Sequence, residues 1–346
     1  MEFVDLRSDT VTLPTPAMRA AMAEAEVGDD VMCEDPTILR LEKMAAERMG
    51  KEAALFVTSG TMGNLTAILT HCGRGDEAIV GNLGHTFLFE AGGISALGGV
   101  HPNELVNQPD GTLQLEAIQA AVRDPNDPHL PLSRLIILEN THNRCGGVPI
   151  SLEYTRKVGE LARANGLLLH IDGARIFNAA IALGVPAKEL AGPANSITFC
   201  LSKGLSAPVG SLLCGSADFI RRARRIRKQL GGGMRQAGIL AAAGIVAMDQ
   251  MVDRLAEDHQ RAKTLARGLA SIPGLKLDAP VPATNMVFVQ LSDEVSMTSQ
   301  QVAARMLAEH KIKVGTVGPR RFRMVTHCWI DDEGIERTIH GLGQVL

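Results

Sequence analysis

The sequence of 346 residues predicts an α/β protein: a large domain with a mostly parallel mixed sheet covered by helices, followed by a small C-terminal α+β domain. Two observations predict this fold class. Short apolar runs rich in β-branched residues alternate with segments of helical periodicity, which is typical of parallel sheets. Glycine is abundant, at 35 residues, and aromatic residues make up only 3%, which indicates many tight turns and an aliphatic core.

Six strands are expected in the large domain. They are residues 53–58, 77–81, 135–139, 167–172, 196–201 and 211–215. Helix starts are also recognisable, because Thr15 and Asp35 each precede a proline, which predicts a capped helix with proline in its first turn. Ser151 predicts another start, and the pair Asn165 and Gly166 predicts where that helix ends.

The last third of the chain has a different pattern. Residues 238–269 predict one long helix or two joined helices, which we interpret as the bridge between two domains. A strand at 285–291, a helix at 299–310, a strand at 322–327 and a closing helix after Asp331 and Asp332 follow. We therefore expect an N-terminal arm at 1–17 that contributes to the active site, a large domain at 18–250 and a small domain at 251–346.

Charge and cysteine usage favour a small-molecule partner in a reducing compartment. The net charge is −3, with 35 basic and 38 acidic residues, which argues against binding to nucleic acid or to an anionic membrane. Six cysteines form no CxxC pair, and neither a secretion signal nor a membrane span is evident, so a cytoplasmic location is expected. A transit peptide removed before residue 1 stays an alternative.

One basic segment, residues 221–228, allows a second interpretation. Its arginines could bind nucleic acid or a protein, which would make the chain a binding module instead of an enzyme. Aromatic residues do not interleave with the arginines, and the overall charge is near neutral. The segment is therefore interpreted as a solvated or subunit-facing helix surface.

Three side chains at two predicted strand ends indicate a specific chemistry. Asp172 ends one strand and Arg175 follows it, while Lys203 follows the strand at 196–201. Enzymes of α/β fold place their chemistry at such strand ends. An amine, an acid and a guanidinium are what pyridoxal phosphate (PLP) requires: an imine partner, an acceptor for the ring N–H and an anion clamp. Taken singly, Lys203 could be a solvated loop residue and Asp172 a helix cap.

Further groups complete this predicted cofactor site. Ser59, Gly60 and Thr61 follow a strand and open a helix, and a helix N-terminus with free amides binds phosphate. Ser202 could also bind the phosphate. His85 follows another predicted strand, where an imidazole can stack on an aromatic ring or move protons.

The small domain contributes one candidate of its own. Arg323 lies on a predicted strand that alternates apolar and polar residues. A guanidinium there could bind a substrate carboxylate in bidentate fashion, which fixes orientation as well as affinity.

Nine motifs resemble those of the low-specificity L-threonine aldolases, a family with the aspartate-aminotransferase-like fold of type I PLP enzymes. The motifs lie at residues 5–12, 28–31, 34–36, 59–62, 139–143, 170–175, 201–204, 232–236 and 323–327. They occur in order along nearly the whole chain. Residues 32–33 and the loop at 144–147 depart from the family pattern, which affects the expected shape of the substrate pocket.

The resemblance implies a role for each candidate. Lys203 looks like the Schiff-base lysine, Asp172 like the partner of the pyridine nitrogen and His85 like the residue stacked on the ring. Gly60 and Thr61 resemble phosphate-binding residues. The remaining implied contacts are Lys228 and Arg235 toward the phosphate of a neighbouring subunit, and Ser8, Arg175 and Arg323 toward the substrate carboxylate.

By the same resemblance, the chain is expected to be a homotetrameric PLP-dependent aldehyde-lyase. Such an enzyme cleaves L-threonine and L-allo-threonine reversibly into glycine and acetaldehyde, a step in threonine catabolism and glycine biosynthesis. His85 or His142, directly or through a water, would accept the proton of the β-hydroxyl group. No catalytic metal is expected. The alternatives within the cofactor class are a β-eliminating lyase, a racemase and an enzyme like serine hydroxymethyltransferase.

Overall fold

A computed structural model describes residues 3–346; Met1 and Glu2 of the predicted arm lie outside the described residues. The strands are β1 (Val4–Asp5), β2 (Ala53–Val57), β3 (Asp76–Gly81), β4 (His101–Leu105), β5 (Leu132–Glu139), β6 (Leu168–Asp172), β7 (Ser196–Cys200), β8 (Ser211–Gly215), β9 (Leu275–Leu277), β10 (Met286–Leu291), β11 (Ile312–Lys313), β12 (Gly315–Thr316) and β13 (Arg321–Val325). The helices are α1 (Pro16–Ala23), α2 (Pro36–Met49), α3 (Gly60–His71), α4 (His85–Leu88), α5 (Gly93–Ala96), α6 (Leu115–Ala121), α7 (Leu152–Ala164), α8 (Ile176–Leu183), α9 (Ala187–Ala191), α10 (Ala217–Gln229), α11 (Gly238–Gln250), α12 (Leu255–Ala270), α13 (Ser299–His310) and α14 (Asp332–Val345), with a 3-10 helix at Asp9–Val11.

The central sheet has seven strands in the order β2-β8-β7-β6-β5-β3-β4. Strand β8 runs antiparallel to both of its neighbours, β2 and β7, and every other pair of neighbouring strands is parallel. The sheet is therefore mixed and mostly parallel, which confirms the predicted fold class. All six predicted strands are present. The edge strand β4 was not predicted, because it is largely exposed and contains Pro102, and both features are typical of an edge instead of a buried apolar run.

The predicted helix starts form as capped helices. The side chains of Thr15, Asp35 and Ser151 each accept a hydrogen bond from a first-turn amide of the helix that follows. Asp35 does more than cap α2, since its Oδ2 also accepts from the amide of Gly28 at 3.2 Å and from that of Gly238 at 2.8 Å. The cap therefore joins the start of α11 to the loop before α2.

The predicted helical bridge consists of two helices, α11 and α12. The first packs against α1 and α2, and the second against α14 and β10. Leu255 belongs to the main hydrophobic cluster, whereas Ala262 belongs to a second cluster around the four-stranded antiparallel sheet β12-β13-β10-β9. The change of cluster inside α12 supports the division that we propose near residue 250.

The N-terminal arm crosses from the second cluster to the main sheet. Strand β1 pairs in parallel with β11, and Val4 and Leu6 are buried in the second cluster. The 3-10 helix then brings Asp9 to Arg175, at the carboxyl end of β6. A two-residue strand has no pattern to detect, so sequence analysis missed this pairing. Among residues 3–346, no helix is both long and apolar enough to span a bilayer.

Candidate functional site

A cavity of about 320 Å³ lies where the arm, the large sheet and the small sheet meet. Its lining comprises Ser8, Thr10, His85, Phe89, Asn143, Arg144, Arg175, Lys203, Phe288, Val317, Arg321 and Arg323. Five of these are predicted site residues, from segments far apart in the chain. The cavity is therefore the place where the predicted chemistry can occur.

Asp172 is the last residue of β6 and is fixed by two donors. Its Oδ2 accepts from Asn64 Nδ2 at 2.9 Å, and its Oδ1 accepts from the amide of Ala174 at 3.1 Å. The carboxylate is only 3% exposed. These two hydrogen bonds hold the Asp172 carboxylate in one orientation at the edge of the sheet that carries the cavity.

Lys203 follows β7, the parallel neighbour of β6. Its carbonyl oxygen accepts from the Thr12 hydroxyl at 3.0 Å and from the Ser206 amide at 2.8 Å. The arm therefore holds the backbone of this turn while the lysine side chain lines the cavity. Ser202 lies in the same turn and is half-buried.

Arg175 is paired with Asp9, a residue to which sequence analysis assigned no role. Its Nε donates to Asp9 Oδ2 at 2.7 Å, and its Nη2 donates to Asp9 Oδ1. Burial raises the pKa of Asp9, but the Arg175 guanidinium, together with the charges of Lys203 and His327, lowers it to about 2. This pair uses the Nε hydrogen and one Nη2 hydrogen of Arg175, so both Nη1 hydrogens and the second Nη2 hydrogen are not engaged by Asp9 and can reach a ligand.

Arg323 faces the same cavity from β13. Its Nη1 donates to Asn143 Oδ1 at 2.8 Å and its Nη2 to the carbonyl of Arg7 at 3.2 Å. Its Nε is buried and has no partner among residues 3–346. Burial lowers the pKa of Arg323, and the positive charge of Arg175 lowers it further. Two guanidiniums at one cavity make a binding site for an anion such as a carboxylate.

The two candidate histidines occupy different places. His85 begins α4; its amide donates to Glu139 Oε2 at 2.7 Å, and its Nδ1 lies 2.9 Å from Glu90 Oε1. The Glu90 hydrogen bond raises the pKa of His85. His142 is 1% exposed and lines a separate small cavity beside Gly111. Of the two, only His85 lines the main cavity.

The predicted phosphate site lies at the start of α3. The Ser59 hydroxyl accepts from the amide of Met62 at 3.2 Å, so it caps the helix. The amides of Gly60 and Thr61 have no partner within residues 3–346, as expected for a first helical turn. They remain available to an anion.

Lys228 and Arg235 lie away from the main cavity. Both are exposed, and Arg235 Nη1 donates to Asp29 Oδ2 at 2.8 Å. Within the chain, the structure does not bring them to Lys203. Their predicted role concerns a neighbouring subunit.

Three site residues besides Asp9 escaped sequence analysis. They are Asn64, Glu90 and Asn143. Asn64 and Glu90 are 1% and 6% exposed, respectively, and each contacts a predicted residue. A signal did exist for Asn64 and Glu90, because each is a polar residue beside an apolar one in the sequence, and buried polar groups need partners.

The loop at 144–147, which departs from the family pattern, borders two cavities. Arg144 lines the main cavity and also a neighbouring one of about 560 Å³. Phe288 and Arg321 also line both cavities. The loop that departs from the family pattern therefore borders the candidate site.

Comparisons with known proteins agree with this site. A family model described as beta-eliminating lyase matches residues 5–294. Low-specificity L-threonine aldolase 1 of Arabidopsis thaliana is 50% identical over 348 residues, which covers 100% of this chain and 97% of the relative. The low specificity L-threonine aldolase of Escherichia coli K12 is 50% identical and covers 84% of this chain and 85% of the relative.

The solved structure of a threonine aldolase from Leishmania major has the same fold, with a TM-score of 0.84 at 21% identity, covering 99% of this chain and 100% of that one. Fold and family match together define a lyase. More narrowly, the chain belongs to the low-specificity L-threonine aldolase family, because relatives at 50% identity align over most or all of its length. The resemblance noted in the sequence is confirmed.

Proposed function

We propose that the protein is a PLP-dependent aldehyde-lyase that cleaves L-threonine and L-allo-threonine reversibly into glycine and acetaldehyde. One observation carries the proposal: Lys203, His85 and two arginines line a single cavity, next to a strand that ends in the buried carboxylate of Asp172. The family to which the chain belongs supports the same reaction.

The residues fit the cofactor by their chemistry. Lys203 offers an amine, Asp172 an oriented carboxylate for a pyridine N–H, and the open amides of Gly60 and Thr61 a phosphate site. When bound, PLP supplies an electron sink for the pair released as the Cα–Cβ bond breaks. Asp172 would accept the hydrogen bond of the ring N–H, and a carboxylate partner there would strengthen that sink.

Binding of the substrate carboxylate sets the geometry of the reaction. Arg323, the free Nη1 of Arg175 and the hydroxyl of Ser8 line one side of the cavity, where they can hold the α-carboxylate. A substrate fixed at its carboxylate presents one chosen bond at Cα for cleavage. Lys203 lines the same cavity, where its amine would hold the cofactor beside the bound substrate.

The proton of the β-hydroxyl group moves to His85. Its Nδ1 is engaged by Glu90, so Nε2 is the atom that can accept a proton. His142 lines another cavity, and for this reason we favour His85 over His142 as the base. General base catalysis of this kind contributes about 10²- to 10⁴-fold to the rate.

We further propose that the protein works as a homotetramer in the cytoplasm, in threonine catabolism and glycine formation. Lys228 and Arg235 are exposed and lie away from the chain's own cavity, which suits a contact with the phosphate of a neighbouring subunit. All six cysteines are free thiols, which suits a reducing compartment.

Product analysis tests the reaction. Purified protein with added PLP and L-threonine should release acetaldehyde and glycine in equal amounts. Pyruvate and ammonia in their place would favour a β-eliminating lyase from the same cofactor class. Lys203→Ala should abolish both aldehyde release and the cofactor absorption of the purified protein, whereas the exposed Lys188→Ala should retain both. A Lys203→Ala protein that keeps both would overturn the assignment.

A further inference from the structure

A chain of polar groups, most of them buried, extends from α3 to the cavity, and the reaction described above uses only two of its members, Asp172 and His85. Its members are His71, Ser196, His170, Asn64, Asp172, Glu90 and His85. Each member is hydrogen-bonded to the next as far as Asn64, where the chain branches to Asp172 and to Glu90, and Glu90 contacts His85. Since buried hydrogen bonds reinforce one another, the direction in which their protons point is a property of the whole network.

Asn64 connects two carboxylates through a single nitrogen. Its Nδ2 donates to Asp172 Oδ2 at 2.9 Å and to Glu90 Oε1 at 2.8 Å. An amide group has two N–H donors, so both are used. Its Oδ1, 3.2 Å from His170 Nε2, must therefore accept a proton from that ring. Asn64 thus holds the two acids in fixed positions and offsets their mutual repulsion.

The orientation of the Asn64 amide determines the direction of the other hydrogen bonds in this network. Burial lowers the pKa of His170 and that of His71 to about 3, so both rings are neutral and carry one N–H each. His170 donates through Nε2, and hence its Nδ1 accepts from the Ser196 hydroxyl at 2.8 Å. Ser196 in turn accepts from His71 Nε2 at 2.7 Å. Every donor therefore points toward the two carboxylates.

The same reasoning fixes the tautomer of His85. An ionised carboxylate only accepts hydrogen bonds, so the 2.9 Å contact with Glu90 Oε1 places a proton on Nδ1 of His85. Its Nε2 then has a free lone pair whenever the ring is neutral. One ring nitrogen of His85 and one carboxylate oxygen each of Glu90 and Asp172 lie within 4.8 Å of one another, so the three side chains form one cluster.

The charged groups that face His85 come from several elements. Glu90 lies on the loop after α4, Asp172 on β6, Lys203 on the turn after β7 and Glu139 on β5. Glu90 alone accepts from the ring, whereas Glu139 accepts from the backbone amide of His85.

We propose that Glu90, held by Asn64, is a positioning residue that sets the tautomer and the charge of His85, the proposed base. The inference rests on the proposed aldehyde-lyase function, since only that reaction gives His85 a proton to accept. Glu90 acts through His85 and does not itself line the cavity. Its negative charge also raises the pKa of His85, which makes the imidazole a stronger base.

Glu90→Gln tests the proposal, because glutamine keeps the size of the side chain and removes its charge. Without the carboxylate, the pKa of His85 should fall, so the ascending limb of the pH profile of kcat/KM should move about one pH unit lower. The weaker base should reduce kcat about tenfold, with less change in KM for L-threonine. A pH profile that coincides with that of the parent would overturn the proposal.

Nitrogen NMR of the parent protein without cofactor provides a second measurement that needs no variant of Glu90. The ring of His85, assigned by its absence in His85→Asn, should be protonated at Nδ1 and free at Nε2 in its neutral form. The reverse tautomer would overturn the proposal even if Glu90→Gln does not fold. Glu104→Gln, the same substitution at an exposed site on β4, should leave both the tautomer and the pH profile unchanged.

These measurements separate two kinds of failure. A parent protein that releases no aldehyde, yet has the Nδ1 tautomer and a lower His85 pKa in Glu90→Gln, would refute the proposed function and not the pairing. An active parent whose His85 is unaffected by Glu90→Gln would refute the pairing alone.

Discussion

Two acid–base pairs each contribute one residue to the lining of the candidate cavity, Arg175 in one pair and His85 in the other, and they differ in what they can do. Asp9 and Arg175 form a bidentate pair whose carboxylate is fully buried, with the pKa of Asp9 lowered to about 2. In the pair of Glu90 and His85, both pKa values are raised: burial raises that of Glu90, and the Glu90 hydrogen bond raises that of His85. The first pair therefore stays charged at every physiological pH, whereas the second contains an imidazole that can exchange a proton.

This difference separates anchoring from catalysis. A pair that stays charged can hold the N-terminal arm and orient Arg175, but it cannot transfer protons. The His85 imidazole, whose pKa the Glu90 hydrogen bond raises, can bind and release a proton, which suits a general base. The cavity is thus lined by a residue of an ion pair that stays charged, Arg175, and by a histidine that can exchange a proton, His85.

The largest effect is expected from breaking the fixed pair. Asp9→Asn leaves the buried Arg175 charge without its partner, and removing one member of a buried pair costs about 3 to 5 kcal/mol. Urea unfolding at pH 7 measures this loss of unfolding free energy. Glu153→Gln, an acid-to-amide change in the exposed pair with Lys157, serves as the control and should leave the urea midpoint close to that of the parent. A loss of unfolding free energy below about 1 kcal/mol for Asp9→Asn would contradict this prediction, because a loss that small is typical of an exposed ion pair.

The pH dependence of the same variant sharpens the comparison. The pKa of Asp9 is lowered on folding from 3.8 to about 2, so its stabilising contribution is complete above pH 3.8 and is lost as the pH falls toward 2. The difference in unfolding free energy between the parent and Asp9→Asn should therefore be constant from pH 7 to pH 5 and narrow below pH 4. A difference that stays constant down to pH 3 would contradict the lowered pKa.

The second-largest effect is expected at His85, the proposed base. His85→Asn should reduce kcat/KM for L-threonine about a hundredfold or more, because it removes the proposed base. His142→Asn should have a smaller effect, since His142 is buried beside a different cavity. Steady-state kinetics of the two variants at one pH compares them directly. A larger loss for His142→Asn would reassign the base.

The smallest effect is expected at the tether between the arm and the lysine turn. Thr12→Val keeps the shape of the side chain but removes the hydroxyl, whose single hydrogen is shared between the carbonyls of Lys203 at 3.0 Å and Asp9 at 2.9 Å. The loss of one such hydrogen bond costs about 1 kcal/mol of unfolding free energy. Urea unfolding measures this loss, and hydrogen exchange at the amide of Ser206 should become faster. Unchanged exchange would mean that the arm does not restrain this turn.

Much of the fold was predictable because its signals are local. Caps at Thr15, Asp35 and Ser151 and the apolar strand runs depend on residues within a few positions of each other, and each appears in the structure. The exposed strand β4 and the two-residue strand β1 were missed because neither has an apolar pattern.

The sequence by itself determined the fold class, the family motifs and five of the twelve residues that line the cavity: Lys203, His85, Arg175, Arg323 and Ser8. Parallel strands bring their carboxyl ends to one edge of a sheet, so residues after those strands could be expected to meet there.

Only the tertiary structure decided the partners of these residues. Asp9 and Arg175 are 166 residues apart, and Asn64 and Asp172 are 108 residues apart, so no local pattern connects them. The structure also placed His142 outside the main cavity and paired Glu90 with His85. The physical reason is that burial obliges each polar group to find a partner, and the path of the whole chain decides which partner is within reach.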